Sequence, residues 1–449
     1  MVLFRPRPLG SAGGLVFGRK TNVFAHRTKL LAASAVVLLA ALSLSPCSAR
    51  PGDVNGDGII ALQDALLALK ASLGLVALSP EASAAADVAP RPGAQGRVYG
   101  DGQVTVADAI RILQVVVGLL DETQLAPTAN TRIYTLNGKT PFGSPGTVSV
   151  IDIDAMLAGS PSASVVNAFG AGAAPNQMLI ADGMGYIVNS VSNTLQIVDL
   201  DTNRDVRPPI YLGDGANPMQ MALPGNGKAY ISLLLANEVA VVDLRSGEVT
   251  NRVKVGTAPT GMASAAGKVY VTNTAFSYDP TANKVTYGQG SVSVIDAISE
   301  KVVKTIPVGT NPQFTALDPK GRVHVSCTGD YGPTPGEIDV IDPRIDTVVA
   351  KVPIGGAPGP IAITFDGRAY VADSIYGVTG YDANALQVTL PPEHALNLGG
   401  SVFDIKADSM GRLYAALFDK DAVVMFDPNS GQVLAKAQTG SGPQAIALR

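Results

Sequence analysis

The amino-acid sequence predicts an all-β seven-bladed β-propeller behind a small N-terminal all-α calcium-binding module, and three observations carry that prediction. A strand-and-turn unit recurs seven times from Thr131 onward. Gly (48) and Pro (31) are plentiful enough for many short strands joined by turns. Asp53 to Asp64 spells a loop whose oxygen-bearing side chains stand at the spacing a hard cation requires. The expected organisation is a signal peptide over 1–49, two loop-helix repeats over 50–122, a linker over 123–130 and the propeller over 131–449.

At the N-terminus, Arg5, Arg7, Arg19, Lys20, Arg27 and Lys29 precede an apolar run from Leu30 to Leu44. Basic residues, an apolar stretch and the small residues Cys47, Ser48 and Ala49 together read as a cleavable export signal. The run is short for a membrane span, and an uncleaved anchor is the alternative. Pro46 directly before Cys47 fits a lipid-modified cysteine poorly. The expected destination is extracellular or at the cell surface, with no membrane span in the mature chain. Cleavage leaves Cys327 without a second cysteine, so stability comes from packing, which 449 residues supply amply. A net charge of −4 and no concentrated basic face in the folded region argue against a nucleic-acid partner.

The first loop reads D-V-N-G-D-G-I-I-A-L-Q-D. Asp53, Asn55, Asp57 and Asp64 occupy positions one, three, five and twelve, Ile59 offers its carbonyl at position seven, and Gly58 allows the sharp turn at position six. This is the ligand set of a Ca2+ loop. A helix follows over Ala65 to Leu75, its apolar stripe at Leu66, Leu69 and Leu73, with Gly74 as its stop. A second copy contains Asp101, Gln103 and Asp108, then a helix with Ile112, Val116 and Leu119. Counting back from Asp108 puts Arg97 at position one and Tyr99 at position three, poor ligands both, unless Asp87 folds back across the Pro90 to Gly93 insertion. The pair resembles a type I dockerin over residues 52–120. That resemblance implies a cohesin-like partner, recognised through Leu62, Gln63, Val106 and Ala107, and an association with polysaccharide catabolism, since dockerins often tether glycosidases.

In the repeats, each unit opens with a strand bearing Tyr134, Tyr186, Tyr230, Tyr270, His324, Tyr370 or Tyr414 near its centre. A second strand ends in Asp152, Asp199, Asp243, Asp296, Asp342, Asp382 or Asp427, between 40 and 53 residues apart. A third strand leads to a V-G-x-x-P-like turn with Pro175, Pro218, Pro259, Pro312, Pro358 and Pro443, where the sixth unit has Val402. A fourth, apolar strand closes each unit, the pattern of a propeller blade. Because Pro443 to Leu448 matches the fourth strand, it is expected to complete the first blade beside Arg132 to Leu136. The phrase V-Y-V-T-N at Val269 to Asn273, with S-V-S-V-I-D after it, makes the region similar to the YVTN-repeat β-propeller family.

The seven aspartates precede turns and are expected to bond the following backbone amides rather than pair for catalysis. Three loops after the first strand of their units are enlarged: 138–146, 274–290 and 328–336. Their Tyr278, Asp279, Tyr287, Asp330 and Tyr331 mark that face as the preferred surface for a protein or small ligand, against plain loop decoration. Asn137, Asn189, Asn273 and Asp373 end first strands near the same mouth, either as a polar ring or as turn formers. The lack of tryptophan (0), a usual platform for sugar rings, argues against a glycosidase, and no G-x-S-x-G elbow supports a serine hydrolase. The reading is an exported binding and scaffold protein more than an enzyme, with a propeller enzyme such as a lactonase as the alternative.

Overall fold

The computed structural model describes residues 50–89, 100–120, 122, 125, 130–139, 141 and 143–449. The expected leader, the Pro90 to Gly93 insertion, Arg97, Tyr99 and most of the linker lie outside them. Among the described residues no helix is long and apolar enough to cross a membrane.

Residues 131–449 form a seven-bladed β-propeller of antiparallel four-stranded sheets. In the second and third strands of a blade nearly every side chain is buried, as along Arg132–Asn137 and Thr194–Asp199, because both faces of the sheet press on neighbouring blades. Outer strands such as Glu248–Lys254 revert to alternation, their outward residues meeting water. The ring closes as expected. Pro443–Leu448 is the innermost strand of the first blade, pairing with Arg132–Asn137 so that Ile133 faces Leu448. In the second blade the outer strand is split into Arg204–Asp205 and Ile210–Tyr211, since Pro208 and Pro209 between them cannot donate to a ladder.

In four of the seven blades the recurrent aromatic is an inter-blade latch, while Tyr414 bonds Asp408 of its own blade at 3.0 Å. Tyr134 donates its hydroxyl to the Leu200 carbonyl at 3.4 Å and Tyr230 to that of Ala297 at 3.0 Å, each in the following blade. Tyr270 likewise reaches Asp346. In the fifth blade the roles are divided: His324 Nδ1 meets the Tyr381 hydroxyl of the sixth blade at 2.7 Å, and its Nε2 meets Asp318 at 3.2 Å. Burial holds the His324 pKa below its ordinary value despite Asp318. The repeated aspartates cap turns, Asp199 accepting from Asp201 and Thr202, and Asp243 from Arg245 and Ser246. These bonds hold both carboxyls below the usual range.

Ahead of the propeller, helices α1 (Leu62–Ser72), α2 (Pro80–Ala86) and α3 (Val106–Val116) enclose a core of Val54, Ala65, Ala68, Val88, Ala109 and Ile112. Helix α1 starts three residues before the expected Ala65 because Asp64 is its N3 residue and accepts from Ala61 N–H at 2.9 Å, closing a capping box. Of the expected apolar stripe only Leu69 packs against the core. Leu66 and Leu73 are exposed while Ala65 and Ala68 are buried, since small residues let α1 and α3 approach closely. Helix α2, not foreseen in the sequence, is signalled there by Ser79, whose hydroxyl accepts from Ala82 N–H, and by Pro80 at the first turn.

Candidate functional site

Two regions gather chemistry: the loops of the helical module and the mouth of the propeller channel. In the first loop Asp53 accepts N–H bonds from Gly56, Asp57 and Gly58 at 2.9 to 3.1 Å. Asp64, fully buried, accepts from Val54, Asn55 and Ala61. Asp57 accepts from Ile59 N–H at 2.9 Å and Asn55 from Asp57 N–H at 2.9 Å.

The second loop repeats this set, and the position-one residue is Asp87 rather than Arg97. Asp87 accepts from Asp101 and Gly102 N–H at 2.9 and 2.8 Å, as Asp53 does from Asp57 and Gly58. Asp108, fully buried, accepts from Val88, Ala89 and Thr105, and Asp101 from Gln103. The register is therefore Asp87, Val88, Ala89, then an insertion, then Asp101 to Asp108. Counting straight back from Asp108 failed because ten residues, 90–99, are inserted after position three. Ala89 leaves that position without a side-chain oxygen.

Among the described residues no three His, Cys, Asp or Glu side chains converge as a group able to hold a metal ion. An ion in these loops would also draw on the Asn55 amide and main-chain oxygens, such as that of Ile59. The residues fit that demand: Asp53 and Asp64 are buried, and no cationic side chain among the described residues forms an ion pair with them. Leu62, Gln63, Val106 and Ala107 are all exposed, on the first turns of α1 and α3. Leu66 and Ile110 extend the same two apolar faces, 45% and 53% exposed.

At the propeller, Asn137, Asn189, Asn273 and Asp373 do not line the mouth. All four are buried within their blades. Asn273 donates to the Ser291 and Ser293 hydroxyls at 3.1 and 3.0 Å, and Asn137 to those of Thr147 and Ser149. Each lies beneath the glycine of the V-G-x-x-P-like turn. A Cβ at Gly172 or Gly256 would stand 2.6 Å from Asn189 or Asn273, and one at Gly356 would stand 2.1 Å from Asp373. The asparagines shape the turn, and the turn needs glycine to cross them. Leu233 and Leu417 replace them in the third and seventh blades, and Cys327 does so in the fifth. Burial and the neighbouring Asp339 carboxylate push the Cys327 thiol far above its ordinary value, so it is a core residue and no nucleophile.

Of the enlarged-loop residues, Tyr287 and Tyr331 come together, their ring centroids 6.4 Å apart, with Phe276 6.1 Å beyond Tyr287. Tyr331, at φ 57°, is held by a 2.9 Å bond from Gln313 of an innermost strand. Asp279 and Asp330 are spent as loop caps, and Tyr278 donates to Asn283 within its own hairpin. Across the mouth stands a stacked pair the sequence reading missed, Phe403 on Phe418 at 4.1 Å and 13°, with the Lys139 ammonium 5.8 Å from the Phe418 ring centre. Its trace in the sequence is Val402, the break in the proline series.

The channel itself narrows to a cavity of about 100 Å³ lined by Gln177, Gln220, Phe314, Phe403, Lys406 and Gln444, among others. A larger concavity of about 510 Å³ lies beside the split outer strand, between Pro208, Tyr211 and Val249. It is open and carries no convergent side-chain chemistry.

No family model matches the chain, and no curated protein does. Solved structures match it at the level of fold. Hydrazine synthase of Kuenenia stuttgartiensis is 17% identical at a TM-score of 0.50, over 61% of this chain and 89% of that one. Virginiamycin B lyase from Staphylococcus aureus is 13% identical at a TM-score of 0.48, over 59% and 84%. A streptogramin B lyase is 12% identical at 0.48, over 71% and 93%.

Proposed function

We propose that this chain is an exported calcium-binding scaffold protein. A dockerin-like module holds Ca2+ and docks on a cohesin-like partner, and a YVTN-type propeller presents its loop face to a protein or small ligand. The observation that carries the reading is the duplicated bonding of Asp53 with Asp64 and of Asp87 with Asp108. Two separate stretches of sequence, one interrupted by ten residues, order their main-chain N–H groups on the same carboxylates in the same register. The matched apolar first turns of α1 and α3 support a docking role for this module. When bound, Ca2+ would offset the carboxylate charge of the loops and fix them against the helices.

The test is a calorimetric Ca2+ titration of the chain lacking its leader, with Asp57→Ala and Asp101→Ala beside it. Asp64 and Asp108 are unsuitable because each also caps a helix, so their loss would disturb the fold without reporting on the ion. Asp57 is exposed and bonds only its loop neighbours. The expected result is two events, the tighter lost in Asp57→Ala and the weaker in Asp101→Ala. No heat at about 1 mM Ca2+, the weak end for extracellular sites, would sink the reading.

A further inference from the structure

We propose that the neck of the propeller channel receives a free carboxyl group joined to a secondary amide and an apolar side chain, the chemistry of a peptide C-terminus or an N-acylated amino acid. The proposal stands independently of the calcium reading. It rests on which half of each polar side chain the fold has already used.

The cavity opens among the first residues of the innermost strands, the end at which the enlarged loops emerge, because Pro175 pairs with Asn189 and Pro312 with Cys327 there. In its deeper tier the acceptors are spent. Gln177 Oε1 accepts the Met221 N–H at 2.7 Å, and Gln220 Oε1 accepts the Met262 N–H at 3.4 Å. Each glutamine thus anchors the next blade through its oxygen, leaving Nε2 without a partner among the described residues. Asp404 is likewise engaged, accepting the N–H groups of Ile405 and Ile446 at 2.9 and 2.8 Å and Lys406 Nζ at 2.8 Å. Lys406 gives that bond with one of three N–H donors and keeps two. Among the described residues, Asp404 and Lys406 are the charged ones lining the cavity. The tier therefore offers amide and ammonium donors, and its carboxylate, Asp404, is offset by the ion pair with Lys406, so the surplus of donors suits a ligand carboxylate.

One residue nearer the mouth the pattern reverses. Gln444 donates Nε2 to the Pro175 carbonyl, and Asn176 Nδ2 is turned to the Met219 sulfur at 3.4 Å. Their carbonyl oxygens remain, as acceptors for an N–H a short step along the ligand. Phe314 and Phe403 supply the apolar walls, and stacking on Phe418 fixes the Phe403 ring. Donors, then acceptors, beside aromatic faces follow the order carboxylate, amide N–H, side chain. About 100 Å³ suits one small residue, so the recognised unit is a terminus.

The experiment is calorimetry of the full chain lacking its leader, with N-acetylvaline and N-acetylvalinamide as probes. The acid should bind at least about tenfold more tightly than the amide, the loss expected for a charge-assisted bond. Lys406→Gln should abolish that preference while thermal unfolding stays two-state. Gln177→Leu, two blades further round the ring, should weaken the acid as well. An acetylated tripeptide ending in valine that binds more tightly than N-acetylvaline assigns the natural ligand to a polypeptide; equal affinity assigns it to an N-acyl amino acid. Equal binding of acid and amide, undiminished acid binding by Lys406→Gln, or no heat with about 10 mM acid would overturn the proposal. A Ca2+ titration unaffected by Lys406→Gln keeps that failure distinct from failure of the calcium reading.

Discussion

The crossing of Gly256 over Asn273 decides whether the strand-end asparagines build the blade or serve a ligand. A Cβ at Gly256 would fall 2.6 Å from Asn273 Cγ and 2.8 Å from its Cβ and Nδ2. Ordinary contact between such atoms is about 3.5 to 4 Å, and forcing a methyl into a filled site costs about 1–3 kcal/mol. Asn273→Ala has a cost of the same order, about 1–3 kcal/mol, because the buried Ser293 hydroxyl loses its donor. The double variant Gly256→Ala with Asn273→Ala puts the new methyl where the amide was. Its destabilisation should be smaller than the sum of the singles by about 1 kcal/mol or more, measured as midpoints of equilibrium urea unfolding at unchanged slope. Additivity within about 0.5 kcal/mol would refute the packing argument, because residues without a shared contact add within that margin. So would a neutral Asn273→Ala, which is what a mouth residue awaiting a ligand would give.

Three further outcomes follow from single sites. If the loops hold Ca2+ as proposed, Ala89→Asn, which puts a side-chain oxygen at position three of the second loop, should tighten the weaker binding event severalfold in the same titration, leaving the first unchanged. The folded His324 pKa lies below its unfolded value, so the unfolded chain takes up the proton first as pH falls. Stability should therefore drop as pH goes below about 6.5, and His324→Gln should flatten that part of a urea-midpoint profile. Iodoacetamide should label Cys327 only after denaturation, read by mass, because the thiol is both buried and held protonated.

The propeller was legible because its strongest signals are periodic. The central aromatics and the turn aspartates recur for packing reasons: a buried ring that in four blades also bonds the next blade, and a carboxylate that caps a turn. The same periodicity could not decide at Asn137, Asn189, Asn273 and Asp373. Their recurrence at strand ends left a ring around the mouth and turn formers both open, and burial beneath the turn glycines decides for the turn. Asp87 was hidden for another reason. Spacing within a loop presumes an unbroken loop, and only the bonds from Asp101 and Gly102 reveal that ten inserted residues are bypassed.

The channel lining lies beyond periodic reading for the converse reason. Two residues after the turn proline the blades place Gln177, Gln220, Gly261, Phe314, Pro360 and Ala445, and the corresponding position after Val402 is Asp404. No two neighbours except the glutamines agree, so a repeat alignment discards the position as noise. In a ring of like blades, however, a single site on the axis is touched by all blades at once, and identical residues there would give a symmetric socket suited to a symmetric guest. An asymmetric ligand requires the blades to differ at that depth while agreeing elsewhere. The residues that break the repeat, Phe403, Asp404 and Lys406 beside the one turn that lost its proline, are therefore where specificity is concentrated, and Lys406→Gln probes it without touching the repeated framework.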